Sequence, residues 1–375
     1  MSGVRLHLRP YCLPLCRPWH SAHGVLHVRQ GWLVRAAADG CHGYGDCAPL
    51  PAAGTEQPAA AGARLAAWSR RAPDCSLPAL LATLARAWPS ATPAADAACE
   101  TALLDLQARV AGLPLRDLLL RCSPARRPMR IRAAAVIAVN AMAGTALDLA
   151  AALPALPVEQ QLDQARRQGW RILKLKLGVG TPAQEAAALE RIAACLPTGV
   201  RLRLDANGAW DADQAEMMIA LLNRLPVESL EEPLRRSDDA LLAALQAGAR
   251  FPLALDESLV QRRPLTAGRL PVRRLVLKPG VIGGLRPTLA LARQAQAAGR
   301  EVVLTSLIES AAGLWASAQL AAAIEAVPAA PLAHGLATAH WLARDLGRPP
   351  LVRTGRLRLS AIPGSGFARA VDRPI

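Results

Sequence analysis

From residue 129 onward the sequence alternates short apolar runs with segments that have a helical pattern. The run WRILKLKLG is followed by PAQEAAALERIAACLP, and the next run, VRLRLDANG, is followed by DADQAEMMIALLNRLP. Strands that alternate with helices in this way form a parallel sheet joined by right-handed crossovers. Seven or eight such units over about 215 residues fit a (β/α) barrel. The sequence therefore predicts an α/β fold built on a TIM-type barrel.

The two ends of the chain have a different texture. Residues 1–128 combine β-like runs, broken by proline and glycine, with helical segments rich in alanine and leucine, which predicts an α+β domain. Residues 129–345 form the predicted barrel. Residues 346–375 return to a proline- and glycine-rich β pattern, and we expect this tail to pack back on the N-terminal domain.

Ionisable residues stand at the carboxyl ends of five successive predicted strands. The order is two lysines, three acidic positions and a lysine, at steps of 22 to 29 residues. The residues concerned are Lys174 and Lys176, Asp205, Glu231 or Glu232, Asp256 or Glu257, and Lys278. Charged residues often follow strands as helix N-caps, but capping explains one or two of these positions and not the whole order. The carboxyl ends of barrel strands meet at one rim, where active sites lie, so we interpret the set as one site.

The residue types in this set predict a reaction class. Three carboxylates that face one another repel unless a cation lies between them, and oxygen ligands favour a hard divalent ion, Mg²⁺ first and Mn²⁺ second. Residues i and i+2 of a strand share a face, so Lys174 and Lys176 both point inward or neither does. A lysine beside another cation and a metal has its ammonium form disfavoured, which suits a general base. Metal and lysine together predict removal of a proton α to a carboxylate, through a metal-stabilised enediolate.

Two further features admit more than one interpretation. Arg203 shares a strand face with Asp205, so it either holds a substrate carboxylate in the barrel mouth or pairs with a neighbouring carboxylate. The loop at 178–183 matches the dinucleotide-binding pattern G-x-G-x-x-A after a strand. However, the preceding strand carries two lysines where a buried Rossmann strand is apolar, and the dinucleotide hypothesis leaves the later acids and Lys278 without a role.

Charge and cysteine content exclude several other classes of protein. The net charge is +15, but the arginines are spread along the chain without a basic block. We therefore expect a small anionic carboxylate as substrate, and neither nucleic acid nor a membrane as partner. Cys12, Cys16, His20 and His23 are too closely spaced for a zinc finger, and we expect buried thiols in a reducing compartment. The N-terminus has no apolar signal region, which indicates a cytoplasmic protein, and the sequence leaves its oligomeric state open.

Six short motifs occur in order along the predicted barrel. They are KLK at 174–176, DANGAW at 205–210, EEP at 231–233, DES at 256–258, LKPG at 277–280 and TSLIES at 305–310. Together they resemble the muconate-lactonising subgroup of the enolase superfamily, and within it they are most similar to the o-succinylbenzoate synthases. The resemblance implies a barrel with an N-terminal α+β capping domain that is completed by the C-terminal tail. It also implies a Mg²⁺-dependent dehydratase of menaquinone biosynthesis, with N-acylamino acid racemases, dipeptide epimerases and muconate cycloisomerases of the same subgroup as alternatives.

The resemblance further implies a role for each matching residue. Lys176 removes the α-proton and then assists loss of the hydroxyl on the same face, while Lys174 modulates Lys176. Lys278 stabilises the enediolate from the other face. Within the two acidic pairs the family pattern selects the first residue, so the implied metal ligands are Asp205, Glu231 and Asp256. Asn207 and Glu257 support the metal shell, and the implied substrate-binding residues are Arg203, Ser306 and Glu309.

Overall fold

The computed structural model describes residues 3–21, 24–121, 135–152, 166–262, 269–326 and 331–369. The boundary predicted between residues 128 and 129, and most of the helix predicted at 158–169, lie outside these ranges. Among the described residues, no helix is both long enough and apolar enough to cross a membrane.

The N-terminal domain pairs an antiparallel sheet with a layer of helices. The strands are β1 (Arg5–Ser21), β2 (Gly24–Ala38) and β3 (Cys41–Cys47), and the helices are α1 (Pro58–Arg71), α2 (Leu77–Arg86), α3 (Pro93–Val110) and α4 (Leu115–Arg121). Helix α3 lies directly on β3. A Cβ atom at Gly45 would come within 2.0 Å of the Ala98 carbonyl oxygen, so only glycine allows this close approach.

The second domain is built on a curled parallel sheet whose strands follow one another in chain order. The strands are β5 (Ala141–Thr145), β6 (Ile172–Lys176), β7 (Arg201–Asp205), β8 (Val227–Glu231), β9 (Leu253–Leu255), β10 (Arg274–Leu277) and β11 (Glu301–Leu304). The helices are α5 (Ala146–Ala152), α6 (Pro182–Cys195), α7 (Ala212–Leu222), α8 (Asp239–Gly248), α9 (Pro279–Ile282), α10 (Leu285–Ala297) and α11 (Ala311–Ile324). Most residues of β6 to β11 are buried, as parallel strands covered by helices require, but charged side chains such as Arg203, Glu228 and Arg274 lie within these strands as well as at their carboxyl ends.

A short extended segment closes the sheet into a barrel. Gly335 bridges in parallel to Thr305, just after β11, and His334 bridges in parallel to Val139, just before β5. The backbone N–H of Gly335 donates to the carbonyl of Leu304 at 2.8 Å, which joins this segment to the last strand. The architecture is therefore the predicted α/β TIM-type barrel with an N-terminal α+β domain.

The C-terminal tail reaches both domains. Its hairpin, β12 (Val352–Arg353) and β13 (Arg356–Arg358), pairs antiparallel with β4 (Val136–Ala138) at the entry to the barrel. Further along, Gly364 bridges to Pro114, and Arg109 Nη2 donates to the carbonyl of Phe367 at 2.8 Å. The tail thus packs on the N-terminal domain, as the sequence predicts.

Two minor sequence signals have local explanations. In the loop that resembles a dinucleotide fingerprint, the backbone N–H groups of Val179 and Gly180 donate to Glu185 Oε1 at 3.0 and 3.2 Å. The amides that would bind a pyrophosphate are therefore occupied by the carboxylate of the loop's own helix, which supports the rejection of the dinucleotide hypothesis. The prediction of buried thiols is wrong for Cys12 and Cys16, which are exposed on β1, whereas His23 lies outside the described residues.

Candidate active site

Three acidic side chains converge at the carboxyl end of the barrel. Asp205 ends β7, Glu231 ends β8, and Asp256 directly follows β9. Each offers one carboxylate oxygen, and these oxygens all lie within 4.8 Å of one another. All three residues are buried. This buried, all-oxygen donor set fits a hard divalent ion, and we refer to the three residues as the acidic triad.

The second acid of the EEP motif points away from the triad. Glu232 has a φ of 44°, in the left-handed region, so its side chain does not continue the alternation of the strand. Its Oε1 atom accepts hydrogen bonds from the backbone N–H of Asp256 at 2.5 Å and from the N–H and Oγ of Ser258 at 3.0 and 2.9 Å. Glu231 is thus left in the triad, and Glu232 positions the Asp256 backbone, a role that the sequence did not predict.

Lys278 lies on the β10 side of the barrel mouth. Its Nζ atom is 2.6 Å from Asp256 Oδ2 and 3.4 Å from Glu257 Oε1. The same Glu257 oxygen accepts a hydrogen bond from Asn207 Nδ2 at 3.4 Å. Glu257 and Asn207 therefore lie beside the triad, where the family resemblance places the residues that support the metal shell.

Both lysines of β6 point into the barrel, as strand alternation predicts for a pair at i and i+2. Lys174 Nζ donates to Glu231 and lies 2.9 Å from Asp205 Oδ2. Lys176 Nζ donates to the same Asp205 oxygen at 2.6 Å and to Asn207 Oδ1 at 3.0 Å. Because three strands separate β6 from β10 around the sheet, these two lysines approach the triad from the side opposite to the lysine after β10.

The close contacts shift pKa values in opposite directions. Burial alone lowers the pKa of Lys174, but the carboxylates of Asp205 and Glu231 outweigh burial and raise it above its ordinary value. For Asp205, burial raises the pKa, but Lys174 and Lys176 outweigh burial and lower it. The pKa of Lys174 is thus raised, whereas the sequence predicted that nearby positive charge would lower the pKa of a lysine in this pair. A divalent ion bound by the triad would compete with the lysines for the same carboxylate oxygens.

A cavity of about 230 Å³ opens beside this cluster. The three lysines line one part of it, and most of the remaining wall is apolar. That wall includes Trp19, Val25, Leu26 and Leu50 from the N-terminal domain, and Leu307 and Ile308 from the loop after β11. Both domains therefore shape the cavity beside the lysines.

Ser306 and Glu309 occupy different places, although both were predicted to line the pocket. Ser306 lines the cavity, and its Oγ accepts a hydrogen bond from Thr338 Oγ1 at 2.8 Å. Glu309 is not among the described residues of this wall. It lies behind Ser306, where its Oε2 accepts hydrogen bonds from Ser306 Oγ and from the backbone N–H of Leu307. Burial raises the pKa of Glu309. Glu309 therefore orients Ser306 instead of facing the cavity, and Thr338 is a wall residue that the sequence did not indicate.

The predicted substrate-binding role of Arg203 is wrong. Arg203 is 1% exposed, and it is not among the described residues that line the cavity. Its Nε donates to Glu228 Oε2 at 3.0 Å, and its Nη1 donates to Asn140 Oδ1 and to the carbonyl of Ala333. The second interpretation, an arginine paired with a neighbouring carboxylate, describes the structure.

Replacing Arg203 should therefore affect stability and not substrate recognition. Arg203→Met leaves Glu228 with Arg274, whose Nη2 is 2.6 Å from Glu228 Oε1, as its remaining cationic partner. We expect the free energy of unfolding to fall by about 3 kcal/mol, the lower end of the cost of breaking a buried pair. Urea unfolding measures this loss, and KM should stay at the wild-type value. A raised KM with unchanged stability would return Arg203 to the substrate site.

Comparison with known proteins identifies the family. A family model described as "Enolase C-terminal domain-like" matches residues 157–372, which is more than half of the chain. The chain belongs to the enolase superfamily. A second model, "Mandelate racemase / muconate lactonizing enzyme, N-terminal domain", matches residues 8–119, so the superfamily's two domains account for the two parts of the structure.

Enolase superfamily members with different activities resemble this chain to a similar degree. The o-succinylbenzoate synthase of Thermobifida fusca is 34% identical over 54% of this chain and 62% of its own length, just under two thirds. That of Thermosynechococcus vestitus is 32% identical over 68% of this chain and 69% of its own length. The structure of a dipeptide epimerase from Methylococcus capsulatus, complexed with Mg and the dipeptide L-Arg-D-Lys, superposes with a TM-score of 0.81 at 28% identity. It covers 98% of this chain and 99% of that one.

Proposed function

We propose that this protein is an o-succinylbenzoate synthase, a Mg²⁺-dependent dehydratase of menaquinone biosynthesis. Its substrate would be 2-succinyl-6-hydroxy-2,4-cyclohexadiene-1-carboxylate and its product 2-succinylbenzoate. The observation that carries the proposal is the composition of the cavity. Three lysines beside the acidic triad line one part of it, and most of the remaining wall is apolar. Such a cavity suits a carboxylate that is attached to an apolar ring.

The two sides of the barrel mouth would divide the reaction between them. Lys176, in its neutral form, takes the proton from the ring carbon that bears the carboxylate. Lys278, on the opposite side, donates to the oxygen on which the enediolate charge develops. The electron pair then forms the new ring double bond while the hydroxyl leaves from the face of Lys176, which returns its proton so that water departs. A Mg²⁺ ion held by the acidic triad would add positive charge against the enediolate.

A dipeptide epimerase is the strongest alternative, because such an enzyme matches nearly the whole chain. A dipeptide carries an ammonium group, which needs an anionic partner once it is taken out of water. Among the described residues of the cavity wall, the carboxylates are those of Asp256 and Glu257, and Lys278 lies beside both. This arrangement supports a substrate that brings negative and not positive charge.

An absorbance assay tests the proposal. Purified protein is mixed with the cyclohexadiene substrate in Mg²⁺ or in EDTA, and loss of the diene band is followed. We expect rapid loss of the diene band in Mg²⁺ and at least about 100-fold slower loss in EDTA, because without the metal the enediolate charge is no longer stabilised by it. A folded protein that binds Mg²⁺ but leaves the diene band unchanged would refute the dehydratase assignment. Proton exchange from D₂O into dipeptides and N-acylamino acids would then identify the epimerase or racemase alternative.

A further inference from the structure

Arg29, on β2 of the N-terminal domain, is a buried cation with an unusual set of partners. It is 2% exposed, and arginines are seldom buried without a carboxylate nearby. Here the charge of Arg29 acts on the carboxylate of Asp46 and lowers its pKa, although burial outweighs this effect. All three hydrogen bonds described for its guanidinium go to main-chain carbonyls. Nη2 donates to Ala48 at 2.6 Å, Nη1 donates to Pro49 at 3.0 Å, and Nε donates to Ile308 at 3.3 Å.

These carbonyls belong to two separate segments that meet at the cavity. Ala48 and Pro49 lead into the loop of the N-terminal domain that supplies Leu50 to the cavity wall. Ile308 belongs to the loop after β11, on the barrel, and its side chain lines the same cavity. Leu50 packs on the small cluster that contains Leu307, so the two segments touch on the cavity side while Arg29 joins their backbones from behind.

The backbone of Ile308 needs such support. Its φ is 59°, in the left-handed region, which is a strained conformation for a β-branched residue. Residues of this kind persist only where the surrounding structure fixes them. Here Ser306 Oγ accepts a hydrogen bond from the Ile308 N–H at 2.8 Å, and Arg29 holds the Ile308 carbonyl. Ser306 also lines the cavity. The strained backbone of Ile308 is therefore held on one side by Ser306 and on the other by Arg29, and we refer to the three hydrogen bonds of Arg29 as the clamp.

We infer that Arg29 is a positioning residue that fixes residues 48–53 of the N-terminal domain against the loop after β11, and thereby sets the volume of the substrate cavity and excludes water from it. It contacts no reacting group. Only the fork of a guanidinium reaches three carbonyls in two segments at once, whereas a lysine ammonium is a single point charge. Its effect on catalysis, unlike its effect on the two segments, rests on the proposed dehydration.

Two Arg29 variants and a matched control separate positioning from general stability. Arg29→Met removes the clamp, and Arg29→Lys keeps the charge without the fork. Arg116→Met is the control, because Arg116 is also a buried arginine of the N-terminal domain and bonds a main-chain carbonyl, that of Ser360, away from the cavity. The first readout is hydrogen–deuterium exchange of the segments 48–53 and 304–310. The second readout is the KM and kcat of dehydration.

We expect Arg29→Met to speed exchange in both segments by at least about tenfold, and to raise KM about tenfold while kcat changes less than threefold, since binding depends on the assembled wall. Arg116→Met should leave both readouts at the wild-type level, even if it lowers the melting temperature as much as Arg29→Met does. Unchanged exchange in either segment overturns the inference, as does an unchanged KM in an active enzyme or full recovery in Arg29→Lys. If the wild-type protein does not dehydrate the substrate, the proposed function fails, and the exchange experiment alone still decides the role of Arg29.

Discussion

Lys176→Ala should lower the rate of dehydration by about 10³-fold, within the range that a general base contributes. Lys176 lines the cavity, and its Nζ is the β6 amine held by both Asp205 and Asn207. Its loss would remove the proposed proton acceptor but leave Lys174 beside Asp205, so the acidic triad would still have a cation next to it. The variant should therefore remain folded and bind 2-succinylbenzoate. Steady-state kinetics and calorimetric titration with the product measure the two effects separately.

Lys176→Met is the matched control for the length of the side chain, because it keeps the apolar stem and removes only the amine. Both variants should be equally inactive, and both should show a circular dichroism spectrum like that of the wild-type protein. Turnover within threefold of the wild-type rate in either variant would exclude Lys176 as the base. Loss of product binding together with loss of turnover would instead show that the substitution damages the cavity.

The amino-acid composition also singles out the lysines of the candidate active site. Lysine occurs only three times in the chain, at 174, 176 and 278, and the other 41 basic residues are arginines. The structure brings all three lysines to the acidic triad. Arginine stays protonated at any physiological pH, whereas a lysine is able to give up its proton. All the lysines of this chain therefore lie at the acidic triad, where Lys176 is the proposed proton acceptor.

The spacing of the motifs predicted the barrel and the triad because each β/α unit delivers the end of its strand to the same rim. Alternation along a strand was less informative, since it gives the face of a residue but not the direction of a long side chain. Lys174 and Arg203 are neighbours in register, and both point inward. Lys174 reaches toward the strand ends and the triad, whereas Arg203 pairs with Glu228, one residue after the start of β8. The acid that accompanies Arg203 decides its direction, and the sequence offered no means to choose that partner.

Adjacent acids posed a similar problem at EEP and DES. Alternation states that only one residue of each pair faces the triad, but it does not say which one. The left-handed backbone at Glu232 settles the first pair, and hydrogen bonds to two backbone amides keep Glu232 in place. The sequence does not predict the φ of 44° at Glu232, because this conformation depends on the backbone N–H groups of Asp256 and Ser258, which follow the next strand. The same limit applies to Glu309, whose position behind Ser306 follows from the turn at Ile308.

Asp205→Asn should weaken Mg²⁺ binding by at least about 100-fold, since loss of a ligand exceeds the 10- to 100-fold effect of losing an outer partner. Asp205 is fully buried and supplies one of the three converging oxygens. Glu309→Gln is the matched control, because Glu309 is also a buried acid near the cavity but lies outside the triad. Calorimetry with Mg²⁺ should give the wild-type affinity for the control and no measurable binding for Asp205→Asn.

The three lysines allow the position of the ion to be tested directly. Protein labelled with ¹⁵N only at lysine Nζ has three side-chain signals, one for each amine next to the triad. Because Lys174, Lys176 and Lys278 each contact a triad oxygen, all three signals should shift at the same Mg²⁺ concentration as the calorimetric midpoint. The signals should not respond to Mg²⁺ in Asp205→Asn. Calorimetric binding that leaves the wild-type signals unchanged would place the ion elsewhere, and the acidic triad would then serve only to hold the lysines.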